Sequence, residues 1–280
     1  MTASMMNAYR AAGLLAERDL SPEDRKILED MDAHDVVVVR GQYDRVEDVF
    51  ELVKLKHVVI HPATVGEYTF RPEQMVIINC PGNLDRAGIT AIRTFVEGGG
   101  SLITTDWTLK NVVEQAFPGF IAYNGKPTGD EVVRIELRGG DEPFLTGLFT
   151  EKSDPLWWLE GSSYPIRILD AERVRVLITS RELGERYGEA PVAVSFDVGK
   201  GDVLHMISHY YLQRAETRTE RHQAKWNTLA AEMGAVEVAQ EAPPELADLS
   251  VGEVEAAYSS YRFTQNLVLE KQKKNRERKT

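Results

Sequence analysis

The sequence predicts an α/β protein built on a doubly wound, mostly parallel sheet, with N-terminal helices before it and a C-terminal helical extension after it. Short unbroken apolar runs such as Val36-Val37-Val38-Val39 and Val58-Val59-Ile60 suit strands covered on both faces. Amphipathic helical stretches separate most of the early runs, and a strand, helix, strand unit of this length implies parallel pairing through a right-handed crossover. The triple glycine Gly98-Gly99-Gly100 punctuates one such unit, ending a helix and opening a strand.

Residues 5–16 read as a helix with Met, Ala and Leu on one side, and Ser21-Pro22 opens a second, with Ser21 as N-cap and Pro22 at the first helical position. The strand at residues 36–39 leads through Arg40-Gly41 into a helix over 45–55, followed by a strand at 58–60. Residues 75–78 form the third strand, 85–96 a helix, 101–105 the fourth strand and 109–116 a helix stopped by Pro118-Gly119. Beyond residue 130 the texture changes. Residues 132–137 alternate as one strand, 174–178 form another, and 192–198 and 202–207 pair across Gly199-Lys200-Gly201. A helix follows over 221–233, Pro243-Pro244 marks a linker, and Ser250-Val251-Gly252-Glu253 has the spacing of a capping box. This order divides the chain into an N-terminal helical segment (1–34), an α/β domain (35–235) and a linker with a C-terminal helix and basic tail (236–280).

At 280 residues with 42% hydrophobic and 28% charged residues, the chain can bury one large core. No run reaches the length and apolarity of a membrane span, and no leader pattern opens the sequence, so the expected setting is cytoplasmic, away from membranes. The single cysteine, Cys80, excludes an internal disulfide and any multi-cysteine zinc site. A net charge of −11 argues against nucleic acid as a partner. The charge is uneven, with seven basic and two acidic residues from position 262 to 280. Near-helical spacing of Val254, Tyr258, Tyr261 and Val268 ahead of the basic run at 271–279 suits packing onto the body, onto a second copy of the chain, or onto a protein partner.

Several segments carry a family resemblance. Val76-Ile77-Ile78-Asn79-Cys80-Pro81-Gly82, then Phe95-Val96-Glu97-Gly98-Gly99-Gly100-Ser101-Leu102-Ile103, Asp141-Glu142-Pro143-Phe144-Leu145-Thr146-Gly147-Leu148, Pro191-Val192-Ala193-Val194, Gly199-Lys200-Gly201-Asp202-Val203 and Ser208-His209 stand in one order across residues 35–213. The stretch resembles the trehalose-utilisation (ThuA-like) branch of the class I glutamine amidotransferase-like superfamily, which implies a flavodoxin-like fold. In amidotransferases of that superfamily a cysteine nucleophile sits on a sharp turn between strand and helix. The equivalent turn here, Thr104-Thr105-Asp106-Trp107-Thr108, has no cysteine. The superfamily's histidine matches His209, but Tyr211 stands where its glutamate partner belongs, two residues on.

The candidate residues follow from these positions. Asp106 ends a strand and either faces the crevice or caps the next helix. Cys80 lies in a loop that, by the resemblance, helps to build the oxyanion hole, and is either a reactive thiol or a buried small hydrophobe. Asn79, Gly82, Asn83 and Trp107 are candidates for ligand contact. His209 ends the last strand, as either a ligand-binding or a structural residue, while His205, four residues earlier on a strand, is expected in the core or at an interface. Residues 41–44 hold too little glycine for a nucleotide fingerprint, and Trp157, Trp158 and Tyr164 suit either sugar stacking or the core. No metal and no cofactor is expected. The leading expectation is a catalytically degenerate amidotransferase-like domain that binds a small polar ligand or serves in an assembly. The alternative is a ThuA-like enzyme of carbohydrate or small-molecule metabolism using His209 and Asp106.

Overall fold

The computed structural model describes residues 1–140 and 142–278; Asp141, in one of the resembling segments, and Lys279 and Thr280, at the end of the basic run, lie outside the described residues. Helices α1 (Ala3–Arg18) and α2 (Pro22–Asp30) precede β1 (Val36–Val39), α3 (Val46–Val53), β2 (Val58–Ile60), β3 (Met75–Ile78), α4 (Arg86–Glu97) and β4 (Ser101–Thr105). A π-helical turn, Leu109–Val113, runs into the short α5 (Glu114–Ala116). Strands β5 (Ile121–Tyr123), β6 (Glu131–Arg134), β7 (Glu136–Leu137), β8 (Leu156–Leu159), β9 (Ile166–Ile168) and β10 (Arg175–Thr179) follow. Helix α6 (Arg181–Tyr187) leads to the hairpin of β11 (Pro191–Val198) and β12 (Gly201–Met206), and α7 (Glu220–Gln223), α8 (Asn227–Glu232), α9 (Val236–Glu241) and α10 (Val251–Glu277) complete the order.

The main sheet has eight strands in the order β2-β1-β3-β4-β12-β11-β10-β7. Its first five are parallel, and the remaining three continue antiparallel. The parallel part therefore has the 2-1-3-4-5 order of a flavodoxin-like sheet, with β12 as fifth strand and a switch point between β1 and β3. Strands β1, β3 and β4 are buried at every position, which is why they read as unbroken apolar or small-residue runs. Two small antiparallel pairs, β5 with β9 and β6 with β8, sit outside the main sheet.

The local signals act as their chemistry requires. Ser21 accepts the N–H of Asp24, Asp85 that of Gly88, and Ser250 and Glu253 form a reciprocal capping box at the start of α10. At Gly99 φ is 119°, a conformation open to glycine, and a Cβ on Gly100 would stand 2.2 Å from the Phe95 ring.

Four departures from the sequence reading have physical causes. The run at 132–137 is two strands: β6 pairs with β8, whereas β7 joins the edge of the main sheet against β10. The helix expected over 221–233 breaks at Ala224-Lys225-Trp226, because the Ala224 carbonyl and Trp226 N–H pair with Val251 and Leu249 instead of continuing the helix. The helix at 109–116 is mostly a π-turn. Strands β5, β8 and β9 are too short, at three or four residues, to announce themselves by period.

Helix α10 packs onto the chain's own body, against α1, α2 and β8. It is buried on most of its circumference from Val251 to Leu269, and several of the polar residues of the helix are hydrogen-bonded to the body. Ser259 accepts the Trp157 indole N–H at 2.9 Å, and Asn266 donates to the Phe144 and Thr146 carbonyls at 3.1 and 2.8 Å. Glu255 is held by the Arg221 guanidinium at 2.9 and 2.8 Å, and Lys271 donates to the Pro72 and Gly99 carbonyls at 2.8 and 2.9 Å. A buried, hydrogen-bonded helix cannot leave without exposing core and orphaning these groups. Removing residues 250–280 is expected to abolish cooperative thermal unfolding by circular dichroism; a truncated chain melting within a few degrees of the full one would contradict this placement.

Candidate active site

The carboxyl ends of β1, β3, β4 and β12 meet at the switch point, where open α/β sheets hold their ligands. Register fixes the neighbours: Ile78 lies beside Thr104 and Met206 beside Thr105, so the residues that follow each strand emerge side by side. The loop after β1 is tied to the loop after β3 by the Cys80 carbonyl, which accepts the N–H groups of Gln42 and Tyr43 at 2.9 and 3.1 Å. Gly41 makes this approach possible, since a Cβ there would lie 2.3 Å from the Cys80 carbonyl oxygen.

Asp106 follows β4 with φ at 46°, a left-handed conformation that few residues adopt and that aspartate tolerates better than most. Its N–H donates to the Met206 carbonyl at 2.8 Å, fixing the turn against β12. The carboxylate is buried and accepts the Ser163 hydroxyl on Oδ2 and the Tyr164 N–H on Oδ1, both at 2.9 Å. Neither donor is a helix N-terminus. The helix-capping reading of Asp106 is therefore replaced by a contact across the crevice to the segment after β8.

His209 lies 1% exposed, its Nε2 3.4 Å from Asp106 Oδ2 and its Nδ1 3.6 Å from Glu160 Oε2. Both separations lack hydrogen-bond geometry, and both ring nitrogens are buried without a hydrogen-bond partner. Trp158 meets the imidazole ring edge to face at 5.7 Å. Glu160, the residue after β8, thus places a carboxylate beside Nδ1. Cys80 Sγ lies 3.9 Å from Asp106 Oδ2, and Cys80, Asp106 and His209 each present a ligand atom within 4.8 Å of the others.

The charges are arranged around His209. Burial disfavours its imidazolium, but the negative charge of Asp44 and the contacts with Asp106 and Cys80 outweigh burial and raise its pKa well above 6.5. Asp44 is fully buried after β1 and accepts backbone N–H groups from Arg45 at 2.8 Å, Tyr211 at 3.2 Å and Tyr210 at 3.4 Å. Burial raises Glu160, opposed by His209. Burial also pushes the Cys80 thiol up to about 11, against His209, so the thiol is protonated at neutral pH.

The remaining sequence candidates separate. Asn79 is fully buried, with its amide committed to Glu47 at 2.7 Å and to the Val46 N–H at 3.4 Å. Gly82 is buried with φ at 68°, and Asn83 is exposed. Trp107, half-buried beside Asp106, donates its indole N–H to the Ser162 carbonyl at 2.8 Å. It stacks on Tyr164 at 5.6 Å and meets Tyr43 edge-on at 5.2 Å, and Tyr164 stacks on Tyr123 at 4.0 Å. These half-buried rings lie together in one stack beside Asp106, whereas Trp157 and Trp158 are buried. His205 lies in the core, held by Thr104 Oγ1 at 2.9 Å, and burial lowers its pKa to about 3. Sequence reasoning missed Glu160, Ser163 and the role of Asp44, which no local pattern marks.

No family model and no curated protein matches the chain. Among solved structures it is similar to an exo-beta-1,4-mannosidase from Opitutaceae bacterium strain TAV5, at 11% identity and a TM-score of 0.45 over 81% of this chain and 35% of that one. It is also similar to PurLQS from Thermotoga maritima, at 13% identity and a TM-score of 0.47 over 73% and 95% of the two chains. A protein from Bacteroides uniformis ATCC 8492 described as ThuA-like matches at 14% identity and a TM-score of 0.43, over 62% and 82%. The chain spans about a third of the mannosidase's length. These likenesses transfer no residue role; the fold assignment rests on the strand order.

The raised pKa gives a sign for pH dependence. A group protonated more readily when folded stabilises the fold fully below its unfolded pKa, near 6.5, and the contribution disappears as pH rises through the higher folded value. In chelator-treated protein the His209 imidazole resonances are expected to report a protonated ring at pH 7, and Asp44→Asn to lower the midpoint. A midpoint at or below 6.5 in the parent chain would refute the arrangement.

Proposed function

We propose that this chain is an amidotransferase-like domain that has lost glutamine hydrolysis and binds a small polar ligand in the crevice over β3, β4 and β12. The observation that carries the reading is Asp106: the strained turn that would present a nucleophile holds a carboxylate already engaged by Ser163, Tyr164 and His209. An acyl-transfer nucleophile needs a free lone pair and an adjacent base. The turn offers a carboxylate where that chemistry uses a thiol, the charged imidazole has no lone pair with which to act as base, and Cys80 is a protonated thiol off the turn. The half-exposed faces of Trp107, Tyr164, Tyr43 and Tyr123 suit the apolar face of a sugar-like ligand, with Glu160 as a partner for its hydroxyls. The buried free cysteine agrees with a reducing, cytoplasmic setting. No described helix is long and apolar enough to cross a membrane. An assembly role would have to use the exposed basic end of α10, since most of that helix lies in the chain's own core.

A second reading, a ThuA-like enzyme, is favoured by the Glu160, His209 and Asp106 row, in which a charged imidazole could act as general acid. One set of assays separates the two. Glutamine is expected to release no ammonia, and calorimetric titration with hexoses and disaccharides to give binding that weakens about tenfold or more in Trp107→Ala. Turnover of any such sugar that vanishes in both Asp106→Ala and His209→Ala, with folding intact, would replace binding by catalysis; glutaminase activity would overturn both.

A further inference from the structure

Three chemically distinct ligand atoms converge in the crevice. A tetrahedral zinc-class ion with bonds of about 2.0–2.3 Å to nitrogen, oxygen and sulfur requires its ligand atoms to lie about 3.3–3.6 Å apart. His209 Nε2 and Asp106 Oδ2 are 3.4 Å apart, Asp106 Oδ2 and Cys80 Sγ 3.9 Å, and the three residues offer ligand atoms that all lie within 4.8 Å of one another. Two of these edges match a tetrahedral face to within a few tenths of an ångström, and the third, from Cys80 to His209, is no longer than 4.8 Å.

Two independent features point the same way. The His209 ring nitrogens are buried and have no hydrogen-bond partner, which is costly unless something else uses them. Glu160 Oε2 stands 3.6 Å from Nδ1, beyond hydrogen-bond geometry but on the side of the ring away from Asp106, where a small closure would complete the carboxylate–histidine–metal arrangement that fixes an imidazole for ligation. Asp106 is oriented likewise by the Ser163 hydroxyl and the Tyr164 N–H.

We propose that Cys80 Sγ, Asp106 Oδ2 and His209 Nε2 form a three-ligand site for a zinc-class divalent cation, with Glu160 holding the imidazole from behind. Mixed sulfur, nitrogen and oxygen donors select zinc or cobalt over magnesium or calcium. The cation would displace the Nε2 proton of the charged His209 ring and the Cys80 thiol proton to solvent. Three protein ligands leave one position for water or a ligand oxygen. The site goes beyond the ligand-binding reading and does not depend on it, because metal alone reads it out.

The test is titration of the full-length, chelator-treated chain with cobalt chloride, followed by competition with zinc chloride. Cys80 is the chain's sole cysteine, so a thiolate-to-cobalt charge-transfer band can arise only there. Stoichiometric uptake with that band and the intense visible bands of tetrahedral cobalt, reversed by zinc, is the expected result. Cys80→Ser should lose the charge-transfer band, and Glu160→Gln should keep it while binding about 10–100-fold more weakly. Uptake without the band, no uptake by folded parent chain, or equal affinity in Glu160→Gln would overturn the assignment. If Cys80→Ser does not fold, the parent spectrum and the Glu160 variant still decide.

Discussion

Parallel pairing of β4 between β3 and β12 is the constraint on which the rest of the structure depends. Parallel strands stand about 4.8 Å apart and end on the same side, so whatever follows each strand is brought to its neighbour. Here the register sets Ile78 beside Thr104 and Met206 beside Thr105, and residues one to three positions further on are Cys80, Asp106 and His209. The site needs no long loop to close it. Its precision is that of the sheet, and the Asp106 turn is held by the N–H bond to Met206 and by the crevice contacts of its side chain.

Around that edge the chain has concentrated buried charge. Asp44, Asp106 and the half-buried Glu160 surround a single imidazole, and a buried cation without such neighbours would give up its proton. Backbone N–H groups stabilise the carboxylates: Asp44 takes three, and Asp106 takes one together with a hydroxyl. Replacing one member leaves the others buried and uncompensated, so these residues are coupled rather than additive. Such a buried polar cluster is costlier to hold than apolar packing of the same volume, and only its full set of partners offsets that cost.

Much of the fold was legible because its signals are local. The Val36–Val39 run, the Ser21-Pro22 start, the Gly98-Gly99-Gly100 stop and the Ser250 to Glu253 box each act through a few neighbouring backbone groups. The resemblance pointed to Asp106 and His209 as ends of two strands, and the two meet. Asn79 was read as a ligand contact from its place in the loop, yet its amide serves Glu47 and Val46, two partners more than thirty positions away. Nothing in sequence spacing marks a side chain as spent on a distant loop.

The sequence by itself determined which segments become buried strands and where helices start and stop, since burial on both faces and capping leave periodic and compositional traces. It also determined that the turn after β4 carries an aspartate. Tertiary structure alone decided what that aspartate meets. Glu160 and Ser163 come from the segment after β8, more than fifty residues beyond Asp106, and Asp44 reaches the site from more than sixty residues before it. Their convergence depends on strand order and on how β8 packs outside the main sheet, quantities set by the whole chain's burial and not by any local pattern. The C-terminal helix makes the same point: its capping box was written in four residues, and its place in the core was decided by the α1 surface and the indole of Trp157 that it covers.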